Sequence, residues 1–329
     1  MDEQLLIYAA ACYGADPRAL HPLDGGHVSA VYAFEQAGRE YVLRITPPLE
    51  APDRDATGAI LAWLAFAAEH GGAVAHPHLS RSGRLIETWA LSEGEALITA
   101  FEKAPGVRAE VLPPETWTPA LYQRLGRVVG RLHRLAAAYR PGLDLRRPTW
   151  QQMGNCFNPT EALPSAPQAL LTQRTALLAQ IHTWNPTPRT YGLIHADLHG
   201  GNFYVDVESG TLTLFDFDDC AYGWFLMDTA MQLFDQLVLY SGPDEAAFAE
   251  RFLVNYLRGY QAEWPLDAAW VERLPLLLKL VEIGVYLQVY RWYDPATSDG
   301  WVGRFMAGRQ ARLAQQRPYV DLAFDALTP

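Results

Sequence analysis

Residues 191–219 read YGLIHADLHGGNFYVDVESGTLTLFDFDD, and the parsing of this stretch decides the fold. The apolar run Tyr191–Ile194 delivers a polar cluster: His195, Asp197, His199 and Asn202. Two alternating runs follow, Phe203–Val207 and Thr211–Phe215, joined by Glu208-Ser209-Gly210. That pattern predicts a β-hairpin, with Gly where a left-handed backbone is needed. Asn202 stands just before the first strand and Asp216 just after the second. Antiparallel pairing then brings an amide oxygen and a carboxylate to one point. Oxygen donors of this kind suit a hard cation such as Mg2+, which takes its other ligands from water and phosphate. Asp197 falls in the same loop, where a carboxylate orients an acceptor hydroxyl and takes its proton.

The pattern His195-x-Asp197-x-x-x-x-Asn202, followed by Asp216-Phe217-Asp218, resembles the catalytic core of the aminoglycoside phosphotransferases. That superfamily also holds choline kinases and one type of homoserine kinase, and it is related to protein kinases. The resemblance runs from about Leu23 to about Leu237. It implies an α+β, bilobal, protein-kinase-like fold. Residues 1–102 are expected to form a small nucleotide-binding lobe around an antiparallel five-stranded sheet. Residues 103–329 are expected to form a larger, mainly helical lobe for catalysis and substrate binding. In the roles the resemblance implies, Asp197 is the base and Asn202 and Asp216 hold Mg2+. His195 joins the catalytic set as a residue that fixes the loop by hydrogen bonding. ATP or GTP is the implied co-substrate. Where protein kinases have Gly after Asp-Phe, this chain has Asp218; for Asp218 and Asp219 the sequence leaves open a second metal ligand and a solvated neighbour.

The 329-residue chain is half hydrophobic and 19% charged, as an ordered globular protein is. A formal net charge of −11 argues against nucleic acid as a partner. Cys12, Cys156 and Cys220 give neither a disulfide framework nor a zinc spacing. The acidic start, Asp2-Glu3, is unlike a signal peptide. Lys279 and Glu282 interrupt the apolar run Leu274–Tyr290, which predicts a buried helix and not a membrane span. A cytoplasmic protein with no membrane partner is expected.

Upstream, Asp24-Gly25-Gly26-His27-Val28-Ser29 precedes strand patterns at Ala30–Phe34 and Tyr41–Ile45. Beside the core motif this resembles the family's nucleotide loop, with Gly25 and Gly26 over the phosphates and Ser29 as a phosphate contact. Arg44 occupies the place of the kinase lysine that grips the phosphates. The helix at 55–70 usually supplies a Glu to hold that base, but the matching residue is Ile60. Glu50, Asp53, Asp55 or Glu69 substitutes, or Arg44 has no partner, or transfer is slow. Further strand patterns lie at Arg84–Trp89 and Ala96–Phe101, and Glu102–Gly106 reads as an interlobe linker. Backbone near Thr99–Glu102, Ala100 and Phe101 included, is implied to bind the nucleotide base.

Helical spacing marks 121–139, and 166–182 and a helix from Phe225 follow. Asp228 matches a family Asp that ties down the catalytic loop. Only Cys220–Trp224 separates the motif from the next helix, too little to dock a polypeptide, so a small hydroxylated acceptor is favoured. Aromatics crowd 225–314, mostly as core. Three other readings compete with a small-molecule kinase. One is a protein Ser/Thr kinase of the same superfamily. Another is a nucleotide-binding protein with little catalysis, motivated by Ile60. The last is a metallohydrolase built on His195, Asp197 and His199.

Overall fold

The structure, a computed structural model, describes residues 2–23, 29–48, 54–142, 145–154, 157, 168–293 and 300–327. Contacts divide the chain into two compact units. One comprises Met1–Gly106, Tyr139–Arg147 and Thr213–Asp218; the other comprises Val107–Ala138, Pro148–Leu212 and Asp219–Pro329.

The first unit is an antiparallel sheet with two helices, α1 (Glu3–Cys12) and α2 (Arg54–Glu69). Its strands are β1 (His21–Pro22), β2 (Ala30–Gln36), β3 (Arg39–Thr46), β4 (Pro77–His78), β5 (Glu87–Leu91) and β6 (Gly94–Glu102). The order is β1-β2-β3-β6-β4, with β5 also pairing β6. Six strands stand where five were expected, because two-residue strands such as β1 and β4 are too short to leave an alternation in sequence. Ala37 and Gly38 both take positive φ, 53° and 75°, which gives the β2–β3 hairpin a turn matched to strand twist.

The two-residue period of the strands sorts their side chains. Tyr41, Leu43 and Ile45 of β3 join Ala96, Ile98 and Ala100 of β6 in a core with Leu5 and Ala9 of α1. The alternate residues, Arg44 and Thr46 with Leu97, Thr99 and Phe101, line a hollow closed by Thr57, Ile60 and Leu61 of α2. Arg44 is registered directly against Thr99.

The second unit is mainly helical. It contains β7 (Val107–Arg108), α3 (Pro119–Ala138), α4 (Gln168–His182), β8 (Tyr191–Ile194), β9 (Phe203–Val205) and β11 (Ala221–Trp224). Then come α5 (Phe225–Leu239), α6 (Glu245–Gln261), α7 (Ala268–Val271), α8 (Leu274–Trp292), α9 (Gly300–Met306) and α10 (Arg309–Ala314). The expected hairpin turn forms: Asp206 N–H donates to Thr211 C=O, and Gly210 takes φ 70°. The strand after it, β10 (Leu212–Leu214), carries the chain back to the first unit, where Leu214 bridges Val74. Both strands are shorter than the five-residue runs expected.

α3 and α6 approach at backbone contact. A Cβ on Gly126 would meet Tyr256 O at 1.9 Å, and one on Gly259 would meet Gln123 O at 1.9 Å. In an open helix Ala is favoured over Gly by about 1 kcal/mol. Here the backbone cannot step aside, so overpacking wins. Gly259→Ala is expected to lose about 1–3 kcal/mol in denaturant melting. A stabilised variant would refute the close packing.

Lys279 and Glu282, the charges inside the apolar run of α8, are partnered. Lys279 pairs with Glu282 and bonds the Arg317 carbonyl, and Arg309 reaches Glu282 Oε1 at 2.9 Å. α8 is thus the buried helix expected from its sequence. No helix among the described residues is long and apolar enough to cross a membrane.

Candidate active site

β8 pairs antiparallel with β11, Ile194 against Ala221, and ends at the catalytic motif. The next two amides, His195 and Ala196, donate to Asp228 Oδ2 and Oδ1, each at 2.9 Å. Ala196 has φ 67°, a conformation costly for a residue with a Cβ unless its surroundings impose it. The Asp228 carboxylate imposes it. Asp228 in turn meets His133 Nε2 at 3.0 Å, and His133 Nδ1 meets the Tyr260 hydroxyl at 2.8 Å. His133 is therefore a fully buried link. The His195 ring is also fully buried.

α5 holds more of this loop than its first turn. Gln232 Nε2 donates to Leu198 C=O at 2.7 Å, and Asp235 Oδ2 accepts Gly200 N–H at 2.9 Å. Asp228, Gln232 and Asp235 lie at i, i+4 and i+7, one helical face. The sequence reading found only Asp228. The signal for the other two was present: polar residues at helical spacing in an otherwise apolar helix.

At the centre, Asn202 Nδ2 donates to Asp197 O at 2.8 Å and to Asp197 Oδ2 at 3.0 Å. His199 Nε2 lies 3.5 Å from Asp197 Oδ2, and 37% of the Asp197 side chain is exposed. The protein around Asp197 pushes its carboxyl up, but His199, His195 and Asn202 outweigh this and hold it below the usual range. For His199 burial works downward, while Asp197, Asp235 and Glu110 push the ring up to about 9. The Gly201 amide, donating to Nδ1 at 3.1 Å, opposes that by favouring the neutral ring. Burial raises Asp235 to about 6 against the opposing pull of His199. Among the described residues no three His, Cys, Asp or Glu side chains gather as a metal cluster, those of His195, Asp197 and His199 included.

In the first unit, Arg44 is not the partnerless base that Ile60 led one to expect. Its guanidinium grips both carboxylate oxygens of Asp218, with Nη1 to Oδ1 at 2.9 Å and Nη2 on Oδ2. Its Nε donates to Ser29 Oγ at 2.9 Å, and Ser29 bonds Thr46 Oγ1 at 2.8 Å. Burial lowers Arg44, and Asp218 and Asp216 more than restore it, raising it above its ordinary value. Of the substitutes weighed from sequence, Asp55 and Glu69 are exposed, and Glu50 and Asp53 lie outside the described residues. Ser29, expected on phosphate, here supports Arg44.

The other expected positions divide similarly. Gly25 and Gly26 lie outside the described residues. Ala100 is buried in β6 between Leu43 and His78, whereas Phe101 faces the hollow beside Arg44 and Asp218. Asp216 has φ 61°, in the left-handed region that Asp tolerates better than most residues.

Residues 19–270 match APH, the phosphotransferase enzyme family, and the chain belongs to it. It is a kinase of protein-kinase-like fold. Amicoumacin kinase from Bacillus subtilis (strain 168) is 30% identical over 330 residues, covering 99% of this chain and 96% of that protein. A solved amicoumacin kinase, hAmiN in complex with AMP-PNP, Ca2+ and Ami, superposes with TM-score 0.89 at 28% identity over 100% of this chain and 98% of that one. A microcompartment-associated aminopropanol kinase shares the fold, with TM-score 0.71 at 21% identity over 95% and 98% of the two chains.

Proposed function

We propose that this protein transfers the γ-phosphate of ATP to a hydroxyl of a small amino alcohol or an amicoumacin-like antibiotic. The observation that carries the reading is the Asp197 carboxylate, charged, partly open and fixed by Asn202 on a loop that α5 holds at three points. Asp197 orients the acceptor hydroxyl and takes its proton. Asn202 spends Nδ2 on Asp197, which leaves Oδ1 as an oxygen donor. The resemblance to the family makes Asp216 the other Mg2+ ligand, and Mg2+ when bound would neutralise charge on the β- and γ-phosphates. Arg44 supplies the fixed cation for the phosphates. A full-length relative acting on amicoumacin supports the antibiotic branch. The pairing of Arg44 with Asp218 supports catalysis over nucleotide binding alone.

ADP release is to be followed with ATP, Mg2+ and a panel of amicoumacin, 1-amino-2-propanol and aminoglycosides. Release that depends on one of the first two acceptors is expected, together with a rise in melting temperature on adding nucleotide and Mg2+. ADP release with no acceptor preference, or none at all, would overturn the assignment.

A further inference from the structure

We propose that Asp218 is the positioning residue of Arg44, taking over from the glutamate that α2 lacks. This rests on reading Arg44 as the phosphate anchor. Three observations carry it. Both Asp218 oxygens lie on the Arg44 guanidinium, the fork-to-fork geometry that fixes direction as well as charge. Asp218 is itself fixed: Arg147 Nη2 donates to its backbone carbonyl at 2.7 Å, and Arg147 Nη1 reaches Ala56 C=O at 3.4 Å. Ile60, at the position where the family places its glutamate, opens onto the same hollow as Arg44 and Asp218.

An arginine carries five N–H donors. Asp218 takes one from each terminal nitrogen and Ser29 takes Nε–H, which leaves two for phosphate oxygens. The guanidinium is thereby aimed before any nucleotide arrives, and alignment of this kind acts on the transition state more than on ground-state binding. The assignment also answers what the third residue of Asp216-Phe217-Asp218 does. Its carboxylate serves the guanidinium, not a second metal ion.

The test uses Asp218→Ala, Ile60→Glu and the two combined, in the full chain. Asp218→Ala is expected to lower kcat by about tenfold or more while KM for ATP moves much less. Adding Ile60→Glu returns a carboxylate to the hollow and is expected to recover a large part of the lost kcat. A double variant no faster than Asp218→Ala overturns the proposal. So does a loss in Asp218→Ala that excess Mg2+ repairs, since that marks a metal ligand. Melting temperatures of Arg44→Ala, Asp218→Ala and their combination give a readout independent of activity. Non-additive losses are expected; additive ones refute the pairing. If the parent shows no acceptor-dependent turnover, the proposed function fails while the melting cycle still decides whether Asp218 holds Arg44.

Discussion

Asp197→Asn is expected to lower kcat by about 100- to 10,000-fold, the usual contribution of a positioned general base. The substitution changes little else. Asn matches the shape of Asp, and the bond from Asn202 Nδ2 to the backbone carbonyl of residue 197 persists, because it does not involve the side chain. What is lost is the acceptor for the hydroxyl proton and the anionic partner of His199. Nucleotide affinity should therefore change little while single-turnover chemistry slows. Calorimetric titration with a non-hydrolysable ATP analogue and rapid-quench kinetics separate the two. Turnover near the parental rate would remove Asp197 from the role of base.

Asp228→Asn is expected to destabilise the protein by about 2–5 kcal/mol and to slow turnover further than its loss of stability explains. The fully buried carboxylate accepts from the His195 amide, from the Ala196 amide and faces His133 Nε2. An amide brings one oxygen and one NH2 group to that place, so a donor is set against a donor and a buried N–H loses its partner. The left-handed φ of Ala196 then loses the bond that imposes it. Denaturant melting measures the first effect. The second is measured by kcat at a temperature where the variant remains folded. A variant that melts with the parent would show that the loop does not depend on α5.

The catalytic stretch was legible because its chemistry is local: His195, Asp197, Asn202 and Asp216 lie within one loop and hairpin, at fixed spacing. Helix α3 was likewise legible from its apolar periodicity. Asp218 as the partner of Arg44 was not legible, because 174 residues separate the two and only the folded chain brings them together. The helix glutamate of the family drew attention to α2, the wrong element for this chain. Gln232 and Asp235 were missed for a different reason. Each bonds a backbone group of the loop, and backbone groups leave no residue type in sequence to match against. The close contact of α3 and α6 was hidden in the same way, since Gly126 and Gly259 meet carbonyls and not side chains.

Four residues of chain lie between Asp216 and β11, and β11 is locked in register against the strand that leads into the catalytic loop. Protein kinases place a long activation segment there to dock a polypeptide. Here the stretch is four residues long and its far end belongs to a strand pair, which leaves no length for a docking segment.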